Sequence, residues 1–127
     1  MKKLAQIYRD VRGVSAVEFA LVAPAFLLMV LALFQCGLLL WTQVALQHGA
    51  EMAARCATTN TLICGTSSDI QKFAVKNAYG LSLPTSTFTP STPVCGNQVS
   101  ATYQVRFITG YFGAPPLTLS ARSCFPK

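Results

Sequence analysis

Charged residues are scarce in this chain, and acidic residues are the scarcest. Asp, Glu, Lys and Arg make up 11% of the 127 residues, whereas an average soluble domain has roughly 25%. Only four residues are acidic against ten basic ones, which gives a net charge of +6. The stretch from Phe19 to Gln47 has no charged side chain and is longer than the ~20 residues needed to cross a bilayer. This composition is typical of a transmembrane segment.

Missing motifs exclude several classes of function. The chain has one histidine, His48, and no C-x2-C or C-x4-C pair, so the ligand spacing of common zinc sites is absent. It also has no G-x-S-x-G, H-E-x-x-H or phosphate-binding loop. His48 has no nearby nucleophile arranged with it as a base–nucleophile set. We therefore expect no metal, no cofactor, no small-molecule substrate and no enzymatic activity.

The basic residues indicate membrane topology rather than nucleic-acid binding. Four of them lie in the first 13 residues, where only Asp10 is acidic. By the positive-inside rule this end stays in the cytoplasm and the C-terminal part is exported. Nucleic acid would require a basic stripe on a folded surface. The remaining basic residues are too scattered for one: Arg55, Lys72, Lys76, Arg106, Arg122 and Lys127.

The cysteines fit an exported C-terminal part. Cys36 lies within the apolar stretch, where it can serve as a small apolar filler. Four cysteines follow it, which predicts two disulfides with three possible connectivities. We favour Cys56–Cys64, which are close in sequence, together with Cys95–Cys124. Each disulfide would add ~2–4 kcal/mol to a region with few large apolar residues.

The apolar stretch is predicted to be the first part of a long helix. Ser15-x-x-Glu18 matches a capping box, so we expect the helix to begin near Ser15. Pro24 removes one backbone hydrogen bond and favours a mild kink. Trp41 is an aromatic residue of the membrane-interface type, and the helical pattern continues past it to Ala57.

A ridge of small residues follows Trp41 at four-residue spacing, formed by Ala45, Gly49, Ala53 and Ala57. Small side chains let two helices approach closely, so the ridge could pack against other subunits. It could instead be the place where the helix lies against the rest of its own chain. The sequence does not decide between these two interpretations, and Ala45, Gly49 and Ala53 are retained as candidate subunit-packing residues together with Glu18.

Shorter elements are predicted after Cys56. Ser67, Ser68 and Asp69 can cap a second helix that Gly80 would end. A Ser/Thr/Pro-rich loop follows, with at most a short edge strand around Thr87-Phe88.

The clearest β-pattern is a hairpin near the C-terminus. Apolar and polar residues alternate over 99–107 and again over 117–122, with a Gly/Pro turn region at 109–116 between them. Folding this hairpin about residues 111–112 brings Cys95 and Cys124 together at its open end.

Glu18 stands at the start of the apolar stretch and requires a compensating partner. A charged residue costs on the order of 2.5–3.5 kcal/mol at the centre of a membrane helix and less near its end. Cutting after Gly13 would give Val14 an α-amine that is mostly cationic at neutral pH, four residues before Glu18. Opposite charges ~4 Å apart attract by roughly 4 kcal/mol at an effective dielectric constant of 20. The amine of a neighbouring subunit could serve equally well, and an extended Gly13 would suit a narrow peptidase subsite.

These residues resemble a known motif. The run from Arg12 to Pro24, RGVSAVEFALVAP, is similar to the N-terminal motif of TadE-like proteins, the minor pilins or pseudopilins of the tight-adherence (Flp) branch of type IV pili. Gly13 matches the position before the scissile bond, Val14 the new N-terminus, and Glu18-Phe19 the acidic–aromatic pair. The resemblance is specific over about residues 12 to 41, continues over 47–57, and is weak beyond.

The resemblance implies a location and a set of partners. It implies cleavage by a dedicated aspartic prepilin peptidase at the bacterial inner membrane. It also implies contacts with other pilin-like subunits and the pilus assembly machinery, in or at the base or tip of a pilus used for surface attachment.

The predicted fold is α+β, with a long transmembrane helix extending into a small disulfide-linked head. Residues 1–13 form a cleaved basic leader, 14–41 the membrane span, 42–57 the extramembrane part of the helix, and 58–127 the periplasmic head. Two other interpretations remain: an uncleaved bitopic membrane protein whose head binds a partner, and a secreted module released by signal peptidase.

Overall fold

The computed structural model of the chain describes residues 11–105 and 115–126, with the side chains from Ser15 onward. Three predicted features lie partly outside the described residues. They are the leader, the first hairpin strand at residues 106–107, and the turn at 109–116. The chain divides between Gly37 and Leu38 into two compact units, which are described separately.

The longest element is helix α1, Val11–Thr59. It begins four residues before Ser15, so Ser15 lies inside the helix and the predicted capping box is wrong for the uncut chain. The physical reason is that nothing between Val11 and Val14 stops the helix, since the ~1 kcal/mol that Gly13 costs relative to alanine is too small to end it. Pro24 lies inside α1, as the sequence predicts.

The first unit consists of the described α1 residues up to Gly37. Nearly all of its side chains from Ser15 onward are exposed. The helix is long and apolar enough to cross a membrane, with a mean hydropathy of 2.4 in its most apolar window and none of that window buried.

The second unit combines the remainder of α1 with a small α+β fold, which confirms the predicted fold class. Its elements after α1 are helix α2 (Ser67–Lys76), a 3-10 turn (Thr85–Thr87), and strands β1 (Phe88–Ser91), β2 (Asn97–Val105) and β3 (Leu117–Phe125). The strands form an antiparallel sheet in the order β1-β2-β3. Strand β1 lies at one edge of the sheet and is the short edge strand that the sequence predicts around Thr87-Phe88.

The β2–β3 register explains the second disulfide. Gln98 is opposite Cys124 and Val105 is opposite Leu117, so the open end of the hairpin carries Cys124 close to the residues before β2. Cys95 and Cys124 are bonded to each other, and Cys56 is bonded to Cys64. These are the two pairings that the sequence favours.

Helix α2 is capped differently from the expectation. Its N-cap is Thr66, whose hydroxyl accepts a hydrogen bond from the Asp69 amide at 3.2 Å and donates to the Asp69 carboxylate at 2.6 Å. Threonine is a good N-cap for the same reason as the serines that follow it. The helix ends at Lys76 with Asn77 as its C-cap, three residues earlier than the predicted stop at Gly80.

The core of the second unit lies between α1, α2 and the sheet. Its largest fully buried side chains are those of Phe88, Leu46 and Val99. The other core members are seven alanines and one leucine: Ala50, Ala53, Ala54, Ala74, Ala78, Leu83, Ala101 and Ala121. Four of the core residues belong to α1, so the head buries its apolar face against the helix and does not form a core alone.

Candidate processing and assembly site

The predicted processing residues lie at the start of α1. Gly13 and Val14 have helical backbone, and Glu18 and Phe19 follow in the next turn with exposed side chains. Residues four apart lie on the same face of a helix, so Val14 and Glu18 share a face. Phe19 is 74% exposed, which leaves the acidic–aromatic pair accessible to another molecule.

The backbone at Gly13 differs from the sequence expectation. The sequence predicts an extended glycine at the cleavage position, whereas the uncut chain is helical from Val11 onward. A helical peptide bond is hydrogen-bonded within its own turn and is not extended. A peptidase that cuts here would have to unwind the first turns of α1, and a glycine lowers the cost of that step because it is a poor helix former.

The membrane-length part of α1 has an unpartnered apolar surface. The exposed large side chains include Leu21, Val22, Phe26, Leu27, Leu28, Met29, Leu33 and Phe34. Apolar surface gains roughly 25 cal/mol per Å² when it leaves water. Lipid or the apolar helices of other subunits would therefore cover this surface.

The small-residue ridge faces the chain's own head. Ala45, Gly49 and Ala53 are all buried. A Cβ built on Gly49 would lie 2.9 Å from the Ala74 carbonyl oxygen and 3.0 Å from Cζ of Phe88. Of the two interpretations left open by the sequence, the structure therefore favours the intramolecular one, and these residues are not available as a subunit-packing surface.

Three polar side chains connect α1 to the head, and the sequence did not single them out for this role. The Gln43 amide donates to the Ser120 carbonyl at 2.9 Å, and His48 Nδ1 donates to the Asn77 carbonyl at 2.9 Å. From the head, Asn97 Nδ2 donates to the carbonyl of Ala57 at 3.0 Å and to the Thr58 hydroxyl at 3.2 Å. The available signal was the two polar side chains at 43 and 48, close to the end of the charge-free stretch of α1.

The head has an open, uncharged groove. Its volume is about 360 Å³, and it lies between the end of α1, the start of α2 and strands β1 and β2. The groove residues are Ala57, Thr61, Cys64, Gly65, Ser67, Ile70, Pro90, Ser91, Thr92, Asn97, Gln98 and Val99. None of them carries a charge. Within the described ranges, no three His, Cys, Asp or Glu side chains are grouped to hold a metal ion.

Comparison with known proteins finds a family match within α1. Residues 13–55 match the family model described as TadE-like protein. The long helix is TadE-like. The TadE-like segment begins at Gly13, includes Glu18 and the buried ridge residues Ala45, Gly49 and Ala53, and ends one residue before Cys56. This confirms the resemblance read from the N-terminal motif and supports a pilin-like, pilus-associated role.

The head lies outside the TadE-like segment. No curated protein matches the chain, and no solved structure matches it.

Proposed function

We propose that the chain is a minor pilin or pseudopilin of a tight-adherence (Flp) pilus. It is inserted in the bacterial inner membrane with its N-terminus in the cytoplasm and its head in the periplasm, cut after Gly13 by a prepilin peptidase, and used in pilus assembly for surface attachment. The observation that carries the proposal is the TadE-like match over residues 13–55, which begins at Gly13.

The two parts of α1 support this role in different ways. From Ser15 to Gly37 the helix presents exposed apolar side chains and no charge other than Glu18. From Leu38 to Thr59 it is part of the compact unit that contains the head. The first part is free to leave lipid for contacts with other pilin-like helices, whereas the second holds the head.

Glu18 is the residue that we assign to subunit recruitment. It is the one acidic residue in the first unit from Val11 to Gly37, and it is exposed. After cleavage it lies four residues from the new amine of Val14, or it meets the amine of a neighbouring subunit. A charged pair formed only when two helices are in the correct axial register makes other registers costly in an apolar bundle.

The experiment is a comparison of two glutamate variants in cells that assemble the pilus. Glu18→Gln removes the proposed recruiting charge, while Glu51→Gln removes an exposed charge from the extramembrane part of the same helix. We expect both variants to be cut after Gly13. Only Glu18→Gln should lose co-purification with the other pilin-like subunits and reduce surface attachment by about tenfold or more, as a loss of roughly 1.4 kcal/mol or more implies.

The contrary result is also informative. If Glu18→Gln assembles as well as Glu51→Gln and the leader stays attached, the chain is an uncleaved bitopic anchor and its head becomes the functional part. The partners of that head would then be sought by crosslinking in the periplasm.

A further inference from the structure

Tyr79 lies in an aromatic cluster at one end of the head. Its ring centroid is 4.4 Å from that of His48 and 6.0 Å from that of Trp41, and both partners belong to α1. Tyr79 and Trp41 nevertheless remain 50% and 56% exposed. The three rings therefore form a surface that is stacked on one side and open on the other.

The backbone at Tyr79 is strained. Its φ is +47°, in the left-handed region, and Gly80 follows with a φ of +75°. A bulky residue rarely adopts this conformation, which costs roughly 1–2 kcal/mol for a residue with a side chain. Glycine or asparagine would serve the turn without strain. Strained residues of this kind cluster at functional sites, so the exposed ring of Tyr79 is a candidate contact.

The cluster lies just beyond the C-terminal end of α2, beside residues 41 and 48 of α1. The Ala74 carbonyl faces Gly49 and the Asn77 carbonyl accepts from His48, so α2 runs back along α1 towards lower residue numbers. Tyr79 lies further along in the same direction, next to Trp41. Lys76, exposed in the last turn of α2, belongs to the same end.

We propose that Trp41, Tyr79 and Lys76 form an interfacial docking surface that seats the head on anionic lipid headgroups before the subunit assembles. The inference rests on the proposed insertion of α1 in the membrane. Tryptophan and tyrosine favour the membrane–water interface because their rings are apolar and their N–H and O–H groups are polar. A lysine in the last turn of α2, three residues before Tyr79, adds attraction to an anionic surface.

The charges of the second unit are consistent with this partner. The acidic residues described in this unit are Glu51 and Asp69. Glu51 is ten residues beyond Trp41 along α1, and Asp69 is in the first turn of α2, at the opposite end of that helix from Lys76. Neither acid is one of the three residues of the docking surface.

The test uses the full-length protein in vesicles of phosphatidylcholine, with or without phosphatidylglycerol. Trp41 is the sole tryptophan of the chain, so its fluorescence reports its depth through quenching by spin-labelled lipids. Two further proteins carry a polarity-sensitive fluorophore on a new cysteine, with Cys36 replaced by alanine. Ser82→Cys places it three residues after Tyr79, and Ser68→Cys, the matched control, places it at the far end of α2; both serines are exposed.

We expect headgroup-labelled lipids to quench Trp41 and the Ser82→Cys fluorophore but not the Ser68→Cys fluorophore. Phosphatidylglycerol should increase the quenching at position 82. Lys76→Gln should lower the ratio of docked to undocked head roughly fivefold, whereas Arg55→Gln, which removes an exposed charge at the far end of α1, should leave it unchanged. Tyr79→Ala should abolish the quenching at position 82, and Tyr79→Phe should retain most of it.

Membrane insertion is measured separately through the exposed thiol of Cys36. A membrane-impermeant maleimide that cannot reach Cys36 shows that α1 is inserted. If Cys36 is protected while position 82 reports an aqueous environment, the docking surface is refuted and the proposed function stands. If position 82 is quenched equally in both lipids and Lys76→Gln changes nothing, docking on anionic headgroups is refuted. If Cys36 is labelled, insertion fails, and the proposed function and the docking surface fail with it.

Discussion

Gly49 of α1 lies directly against the ring of Phe88 at the start of β1. A Cβ at position 49 would be 3.0 Å from Cζ of that ring and 2.9 Å from the Ala74 carbonyl oxygen. Both distances are shorter than real Cβ atoms ordinarily tolerate, and the second involves backbone that cannot rotate away. The helix and the sheet approach this closely because position 49 has no side chain.

Replacing Gly49 with alanine should therefore destabilise the head. Alanine gains up to ~1 kcal/mol of helix propensity, but overpacking costs about 1–3 kcal/mol, so we expect a net loss of about 1 kcal/mol or more. The matched control is Gly37→Ala in the same helix, where an added Cβ meets nothing within 4 Å. Thermal unfolding in detergent, followed by near-UV circular dichroism, should show a lower Tm for Gly49→Ala alone. An equal or higher Tm for Gly49→Ala would contradict the close packing.

Asn97 should stabilise the end of α1. Its side-chain amide donates to the Ala57 carbonyl and the Thr58 hydroxyl, and the last carbonyls of a helix otherwise have no partner within it. Asn97→Ala should cost about 1 kcal/mol. Asn97→Asp should cost more, because a carboxylate cannot donate and is repelled by the negative end of the helix dipole. Denaturant unfolding of the two variants measures which one loses more stability. If Asn97→Asp loses less than Asn97→Ala, the prediction is refuted.

The two disulfides should differ in accessibility and in their effect on stability. Cys56 and Cys64 are buried, whereas Cys95 is exposed. We expect mild reduction followed by alkylation and mass spectrometry to modify Cys95 and Cys124 first. The sequence separations are 8 and 29 residues, so chain entropy predicts that removing the longer link costs about 1 kcal/mol more. Double alanine variants of each pair measure that difference, and simultaneous reduction would contradict the accessibility argument.

Gly13→Ala should slow or abolish processing. Alanine raises helix propensity by ~1 kcal/mol where the first turns of α1 must unwind, and it adds a side chain next to the proposed scissile bond. Gly37→Ala is again the matched control, since it makes the same substitution far from the cut. Immunoblotting for the uncut form should detect its accumulation only for Gly13→Ala. Normal processing of that variant would indicate that glycine is not required at the cleavage position.

The membrane segment and the hairpin were predictable because each depends on local patterning. A charge-free stretch after Glu18 indicates a membrane span, independently of the sequence that follows. Strict alternation of apolar and polar residues over 99–105 indicates a strand. The disulfide pairing followed from the hairpin, because pairing β2 with β3 brings Cys95 and Cys124 to the same end.

The position of the ridge and the start of α1 could not be predicted in the same way. Small residues at four-residue spacing allow close approach by any neighbour, and only the tertiary fold shows that Phe88 and Ala74 are the neighbours of Gly49. A capping box at Ser15 requires that the residues before it are not helical, but Val11 to Val14 are part of the helix. The left-handed Tyr79 had no sequence signal, because tyrosine does not favour that backbone conformation.

The central claim is that the chain is a pilin-like subunit matured at its N-terminus. The most direct test is the intact mass and N-terminal sequence of the protein from cells with and without their prepilin peptidases. The account predicts a mature chain that starts at Val14 when the peptidase is present and an uncut chain when it is absent. A chain that keeps residues 1–13 in both cells would contradict the account, as would a mature form that lacks the whole apolar part of α1.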